Sequence, residues 1–302
     1  MGNQRKKSDI HKNERVSADV AGHPVTGLGI ASVPQLPILG GGLLLAGGFA
    51  GLAAGMMGVG GGIVIVPVLY HLFTVLGVDE AVRMHVAVGT SLATIIATSL
   101  TSLRAHRRRG AVDGDLLRAW GPAIFLGVLA GTAVAGVVRG PVLTAVFAGM
   151  AVLVTLHMLF GKPEWRIADG LPSGAPRQGL AGGIGMMSAM MGIGGGTLSV
   201  PILTLFGYPI HRAVGTAAAL GFIIGVPGTV GFVLTGWNVP GRPDFSLGYV
   251  NLLGLALILP ASMAMAPLGA RLAHSLDTRV LRRVFALFLG LTAVRMIHGL
   301  LP

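Results

Sequence analysis

Met56-Met57-Gly58-Val59-Gly60-Gly61-Gly62, with Val66-Pro67 just downstream, recurs as Met190-Met191-Gly192-Ile193-Gly194-Gly195-Gly196 with Val200-Pro201. Over residues 56–69 and 190–203, nine of fourteen positions are identical, so the chain carries an internal duplication. Both copies lie inside long apolar stretches. Glycines spaced along one face let helices approach closely, but consecutive ones break the helix, because glycine loses the most conformational freedom on folding. A break repeated in two apolar settings predicts a transporter built from two related halves.

Composition places those halves in a bilayer. Hydrophobic residues make up 53% of the chain, charged residues 11%, and 49 of 302 residues are glycine. Mean hydropathy is +0.77. A soluble domain carries about 25% charged residues, and a core this poor in charge would be insoluble. The net charge of +11 invites a nucleic-acid reading. However, the basic residues sit in loops and tails, notably Arg104, Arg107, Arg108 and Arg109, where they orient a membrane protein. No nucleic-acid partner is expected. The chain has no cysteine, which excludes disulfides and thiolate metal sites.

Apolar segments fall at 37–57, 60–76, 86–103, 116–138, 141–160, 178–191, 193–207, 213–235, 247–268 and 280–300. Those at 60–76 and 193–207 are short and begin at the glycine triplets, which marks them as half-helices or tightly turned helices rather than independent spans. A second motif follows each triplet: His85-Val86-Ala87-Val88-Gly89-Thr90 matches His211-Arg212-Ala213-Val214-Gly215-Thr216 at five of six positions. Residues 1–35 form a polar tail of mixed charge, expected to be disordered and unlike a signal peptide. Residues 36–160 form the first repeat, 161–178 a polar linker, and 179–302 the second repeat. The arginine-rich loop after the first repeat's third segment belongs in the cytoplasm. Its counterpart, 236–246, has only Arg242 and belongs outside. The expected fold is an all-α polytopic membrane protein of two inverted repeats, each a broken or re-entrant helix pair plus three transmembrane helices.

The first amides of each new half-helix have no intrahelical acceptor, and in hydrocarbon they need water, protein or a ligand. They also carry the positive end of the helix dipole, which favours an anion. Gly60, Gly61 and Gly62 with Gly194, Gly195 and Gly196 are therefore candidate substrate-binding residues through their backbone N–H groups. The bland alternative is close helix packing, which is the reading for Gly48, Gly51, Gly55, Gly182 and Gly185. Thr90 and Thr216, repeated in register, are candidate hydroxyl donors. His85 and His211 read either as anion or proton handlers or as interfacial polar anchors. The methionine pairs Met56-Met57 and Met190-Met191 suit either Cu(I) or apolar filler. All eleven acidic residues fall in tails, loops or segment ends, so no carboxylate stands mid-membrane as in many cation-coupled carriers. No nucleophile–base pair is evident, so no catalytic residue, metal or cofactor is expected.

The Gly-x-Gly-Gly-Gly break with downstream Val-Pro, then Val-Gly-Thr, repeated in the same order in the second half, resembles the TauE/SafE family. The resemblance spans about residues 37–300 and includes Ala266-Pro267-Leu268-Gly269-Ala270-Arg271 and the last helix led by Arg282 and Arg283. It implies a multi-pass permease of the bacterial inner membrane that moves sulfite, sulfonates or other organosulfur anions outward. Composition alone shows at most an anion. Arg271 reads as a cytoplasmic gate or a topology anchor. The expected partners are a small anionic substrate and the lipid bilayer, with homodimer formation left open. The alternatives are a non-transporting scaffold subunit or a Cu(I) transporter using the methionine pairs.

Overall fold

The ten apolar segments emerge as ten helices among the described residues. The computed structural model describes residues 35–57, 61–161, 165–275 and 278–300. The helices are α1 (Gln35–Met57), α2 (Gly62–Val75), α3 (Glu80–Arg108), α4 (Gly114–Val137) and α5 (Gly140–Phe160), then α6 (Ala175–Met191), α7 (Gly195–Leu205), α8 (Ile210–Thr235), α9 (Leu252–Ser275) and α10 (Thr278–His298). The polar tail lies outside the described residues except for Gln35, as do Gly58 and the candidate Gly60. The side chains of Met56, Met57, Arg271 and Arg282 are outside them too.

Five helices are long and apolar enough to cross a membrane: α3, α4, α5, α8 and the Leu252–Gly269 part of α9. Large apolar side chains stay exposed along them, among them Leu126, Leu129, Leu153 and Val230, and on α10 Leu287 and Leu291. Such a belt is unfavourable in water and suits lipid. The chain is a multi-pass integral membrane protein.

Helix ends are set locally. α3 runs further than its apolar segment because Asp79 caps it, accepting from the Ala81 N–H at 2.9 Å. Glu80 opens its first turn and His106, Arg107 and Arg108 close its last, each favourable to the helix dipole. α9 begins later than its apolar segment. The preceding residues form a two-residue antiparallel ladder, Ser246–Leu247 with Val250–Asn251. Pro67 and Pro201 lie within α2 and α7, each withholding one intrahelical hydrogen bond without ending the helix.

Residues Gly40–Pro302 form one unit, and the preceding unit, Met1–Leu39, is described only where α1 begins. Within the larger unit the two sequence halves interleave. α3 packs on α8, α4 on α6 and α8, α5 on α10, and α7 on α8, around a core that includes Trp120, Phe147, Phe232, Leu92 and Ile95. The α4–α6 seam is glycine-lined. A Cβ on Gly185 would strike the Ile124 carbonyl, and one on Gly127 would strike that of Gly182. Its counterpart joins α1 to α9, where a Cβ on Gly51 would strike the Ser262 carbonyl. Close packing is thus the role of Gly51 and Gly185.

Candidate functional site

Both duplicated motifs break the helix. α6 ends on Gly192, whose φ of 66° is left-handed, and α7 starts at Gly195 after the extended Gly194. In the first copy Gly61, with φ of 75°, precedes α2 at Gly62. The two breaks meet: a Cβ on Gly62 would lie 2.5 Å from the Gly192 carbonyl oxygen. The same oxygen accepts from Ser91 Oγ on α3 at 2.6 Å.

A cavity of about 1200 Å³ runs from this junction to one end of the bundle. Its inner end is formed by Ile63 of α2 and by Gly196 and Thr197 of α7. The walls are apolar, from Met150 and Val154 of α5, Leu180, Ile184 and Met187 of α6, and Val200 and Ile202 of α7. The mouth carries His106 in the last turn of α3 and Arg109 just past it, His157 near the end of α5, and His211 at the start of α8. Cationic or protonatable groups thus face an entrance whose far end holds a helix N-terminus.

Thr197 was not a sequence candidate. It is 4% exposed, lines the cavity, and its Oγ1 has no hydrogen-bond partner. Burying a hydroxyl unpaired is costly, so this group is poised to bond something that enters. The sequence signal was the residue after each triplet: Ile63 in the first copy, Thr197 in the second.

The expected site residues divide. Gly196 and His211 line the cavity. Gly62 abuts the other break, and Gly195 abuts α8, where a Cβ would lie 2.8 Å from the Gly221 nitrogen. Gly61 and Gly194 occupy the turns ahead of the two half-helices. His85 is buried; its Nε2 donates to the Ala135 carbonyl at 2.9 Å and its ring stacks on Tyr249 at 4.8 Å. Duplicated histidines therefore occupy different surroundings, one inside packing and one at a mouth. Met190 and Met191 are buried in the core.

Thr90 and Thr216 are fully buried away from the cavity and form a crossed pair of clamps. Thr90 Oγ1 accepts from the Asn251 N–H ahead of α9, and Thr216 Oγ1 from the Asp113 N–H ahead of α4, both at 2.9 Å. Each repeat thereby holds a loop of the other. The preceding glycines allow the approach: a Cβ on Gly89 would lie 2.5 Å from the Tyr249 oxygen, and one on Gly215 would strike that of Ala111.

Next to the mouth, Asp113 joins three elements. Its Oδ1 caps α4 by accepting from the Asp115 and Leu116 N–H groups at 3.0 Å. Its Oδ2 accepts from the Tyr208 hydroxyl and pairs with Arg212 at 2.9 Å. The Tyr208 hydrogen bond, helped by the Leu116 N–H, the Arg212 charge and the Asp115 N–H, holds the Asp113 carboxyl below the usual range against the opposing effect of burial. Burial and the Asp113 carboxylate push the Tyr208 phenol up to about 12. A depressed carboxyl stabilises the fold above its unfolded value, and the benefit is lost as pH falls through the folded one. A raised phenol stabilises it below its unfolded value and loses that benefit as pH rises through the folded one. The cluster should hold from about pH 4 to about pH 10. Asp113→Asn keeps the helix cap but removes the charge. It should melt at a lower temperature than the wild type at pH 7, with the gap closing below pH 4 in a thermal-shift series; a gap independent of pH would exclude the charge as its source.

The profile of the "Sulfite exporter TauE/SafE" family matches residues 43–296, which takes in both breaks and both Val-Gly-Thr clamps. The chain belongs to the TauE/SafE family. Among its relatives is a probable membrane transporter protein of Haemophilus influenzae, 35% identical over 84% of this chain and 96% of the relative. Another, from Methanocaldococcus jannaschii, is 25% identical over 84% of this chain and 94% of its own length. Bacillus subtilis YunE, also named a probable membrane transporter protein, is 27% identical over 85% of this chain and 96% of its own. No solved structure matches. This TauE/SafE chain is therefore a membrane transporter.

Proposed function

We propose that the chain exports a small anion, sulfite or an organosulfur acid, across the plasma membrane by facilitated or weakly coupled transport. The observation that carries the reading is the α7 break. A helix N-terminus and the unpaired Thr197 hydroxyl stand at the inner end of a cavity whose mouth holds His106, Arg109 and His211. Positive potential with few competing acceptors favours a negatively charged solute. With the arginine-rich end of α3, Arg104 to Arg109, in the cytoplasm, the cavity opens inward and the two repeats are inverted about the junction of the breaks. Met190 and Met191 belong to the core in this reading, and His211 places an imidazole at the entrance.

An interior-negative potential drives a monoanion outward by about 2.3 kcal/mol per 100 mV, roughly fiftyfold in concentration ratio. Purified protein in liposomes loaded with labelled sulfite should release it faster when the interior is held negative. A protonophore at the same clamped potential should leave the rate unchanged. Loss of flux with the protonophore would replace the uncoupled mechanism by proton coupling. No flux of sulfite or any organosulfonate would end the anion reading.

A further inference from the structure

We propose that this cavity opens sideways into the bilayer and seats an anionic phospholipid of the leaflet at its mouth. The phosphate sits at the mouth and one acyl chain lies along the walls. The side opening is between α5 and α6. Leu153 of α5 borders the cavity and is also 59% exposed in the lipid-facing belt. On α6, Gly179 and Gly183 line the cavity and are exposed, and a Cβ on either would meet no atom within 4 Å. A cleft so placed is open to hydrocarbon as well as to water. A lipid chain is the better filling, because wetting Met150, Val154, Met187 and Val200 costs free energy.

Depth and charge identify the occupant. α7 lines the cavity from Gly196 to Leu205, a rise of about 14 Å. One leaflet supplies half of a hydrocarbon core about 30 Å thick, so a single chain reaches from the mouth to the break. At the mouth Arg109 is exposed and enters no ion pair among the described residues. His106 and His211 stand there with it, and among the described residues no carboxylate lines the cavity. The nearby Asp113 is engaged by Tyr208 and Arg212. A phosphodiester at the interface therefore meets an unopposed guanidinium. The lipid site uses the mouth and the walls, and leaves Thr197 to the transported anion.

The test uses the full chain, purified and delipidated, with phosphatidylglycerol carrying a photoreactive diazirine at its chain end. Cross-links mapped by mass spectrometry should fall on Met187 and Val200 in the cavity as well as on belt residues such as Leu126. Phosphatidylcholine with the same chains should label the cavity pair about fivefold less. Arg109→Gln should cut phosphatidylglycerol labelling there about fivefold, the worth of one arginine at an anionic surface. Arg104→Gln, which does not touch the cavity lining, should leave it unchanged. Gly183→Trp should abolish labelling of Val200 while Leu126 labels as before, which reports an intact fold. Inorganic phosphate should displace nothing. Labels confined to the belt, or equal for the two lipids, would overturn the proposal. Displacement by inorganic phosphate would overturn it in favour of a free anion, and protection of Val200 within a cross-linked dimer in favour of a second copy of the chain. None of these readouts is a flux, so this site and the sulfite reading stand or fall separately.

Discussion

Gly192→Val is expected to be the most destabilising single change in the protein. Gly192 has a left-handed φ of 66°, and a Cβ there would lie 2.9 Å from Val88 Cα and 3.0 Å from Val66 Cγ2. A β-branched residue forced into that conformation costs roughly 1–2 kcal/mol. Overpacking against the α3 backbone adds about 1–3 kcal/mol. Together they come to about 2–5 kcal/mol, a large share of a typical stability of about 5–15 kcal/mol. The variant should aggregate in detergent or melt far below the wild type. Ser91→Ala is the control, because it removes only the hydrogen bond to the Gly192 carbonyl, worth about 0.5–1.5 kcal/mol. If the valine variant melts within a degree or two of the wild type, the two breaks do not meet as described.

Thr90→Val should be the next most damaging change, and it should act on stability alone. The substitution keeps shape and strands the Asn251 N–H, in a residue 5% exposed. An orphaned buried donor costs about 1–3 kcal/mol. Thr216→Val strands the less buried Asp113 N–H and should cost less. Thr90 lies about 27 Å along α3 from Arg108, near which Asp113 stands, so the two clamps are far apart. The double variant should therefore be additive within about 0.5 kcal/mol. Neither hydroxyl lines the cavity, so the KM for transport should match the wild type in each single variant. A raised KM with normal melting would return these threonines to the substrate site.

The helices and the two breaks were legible because each is a local matter. A long apolar run needs a helix in lipid, and a glycine triplet interrupts one. What the repeated motifs do was less legible, because function depends on what packs against them. His85 and His211 share a motif, yet Ala135 and Tyr249 enclose the first while the second faces a cavity. Thr90 looked like a ligand group because its partner is 161 residues away in the chain. Asp113 read as an ordinary loop acid, since Tyr208 and Arg212 approach it only in the folded chain. Thr197 is marked in the sequence only as a difference between the two copies, the first having Ile63 at that place.

The crossed clamps have a consequence for biosynthesis. When Thr90 leaves the ribosome, Asn251 has yet to be translated, and at about 5–20 residues per second the wait is roughly 8–32 s. Through that interval the early helices sit in the membrane with a polar hydroxyl and a glycine-lined notch unfilled. Coexpressed fragments cut within 161–178 should therefore accumulate only as a pair, each degraded when made alone.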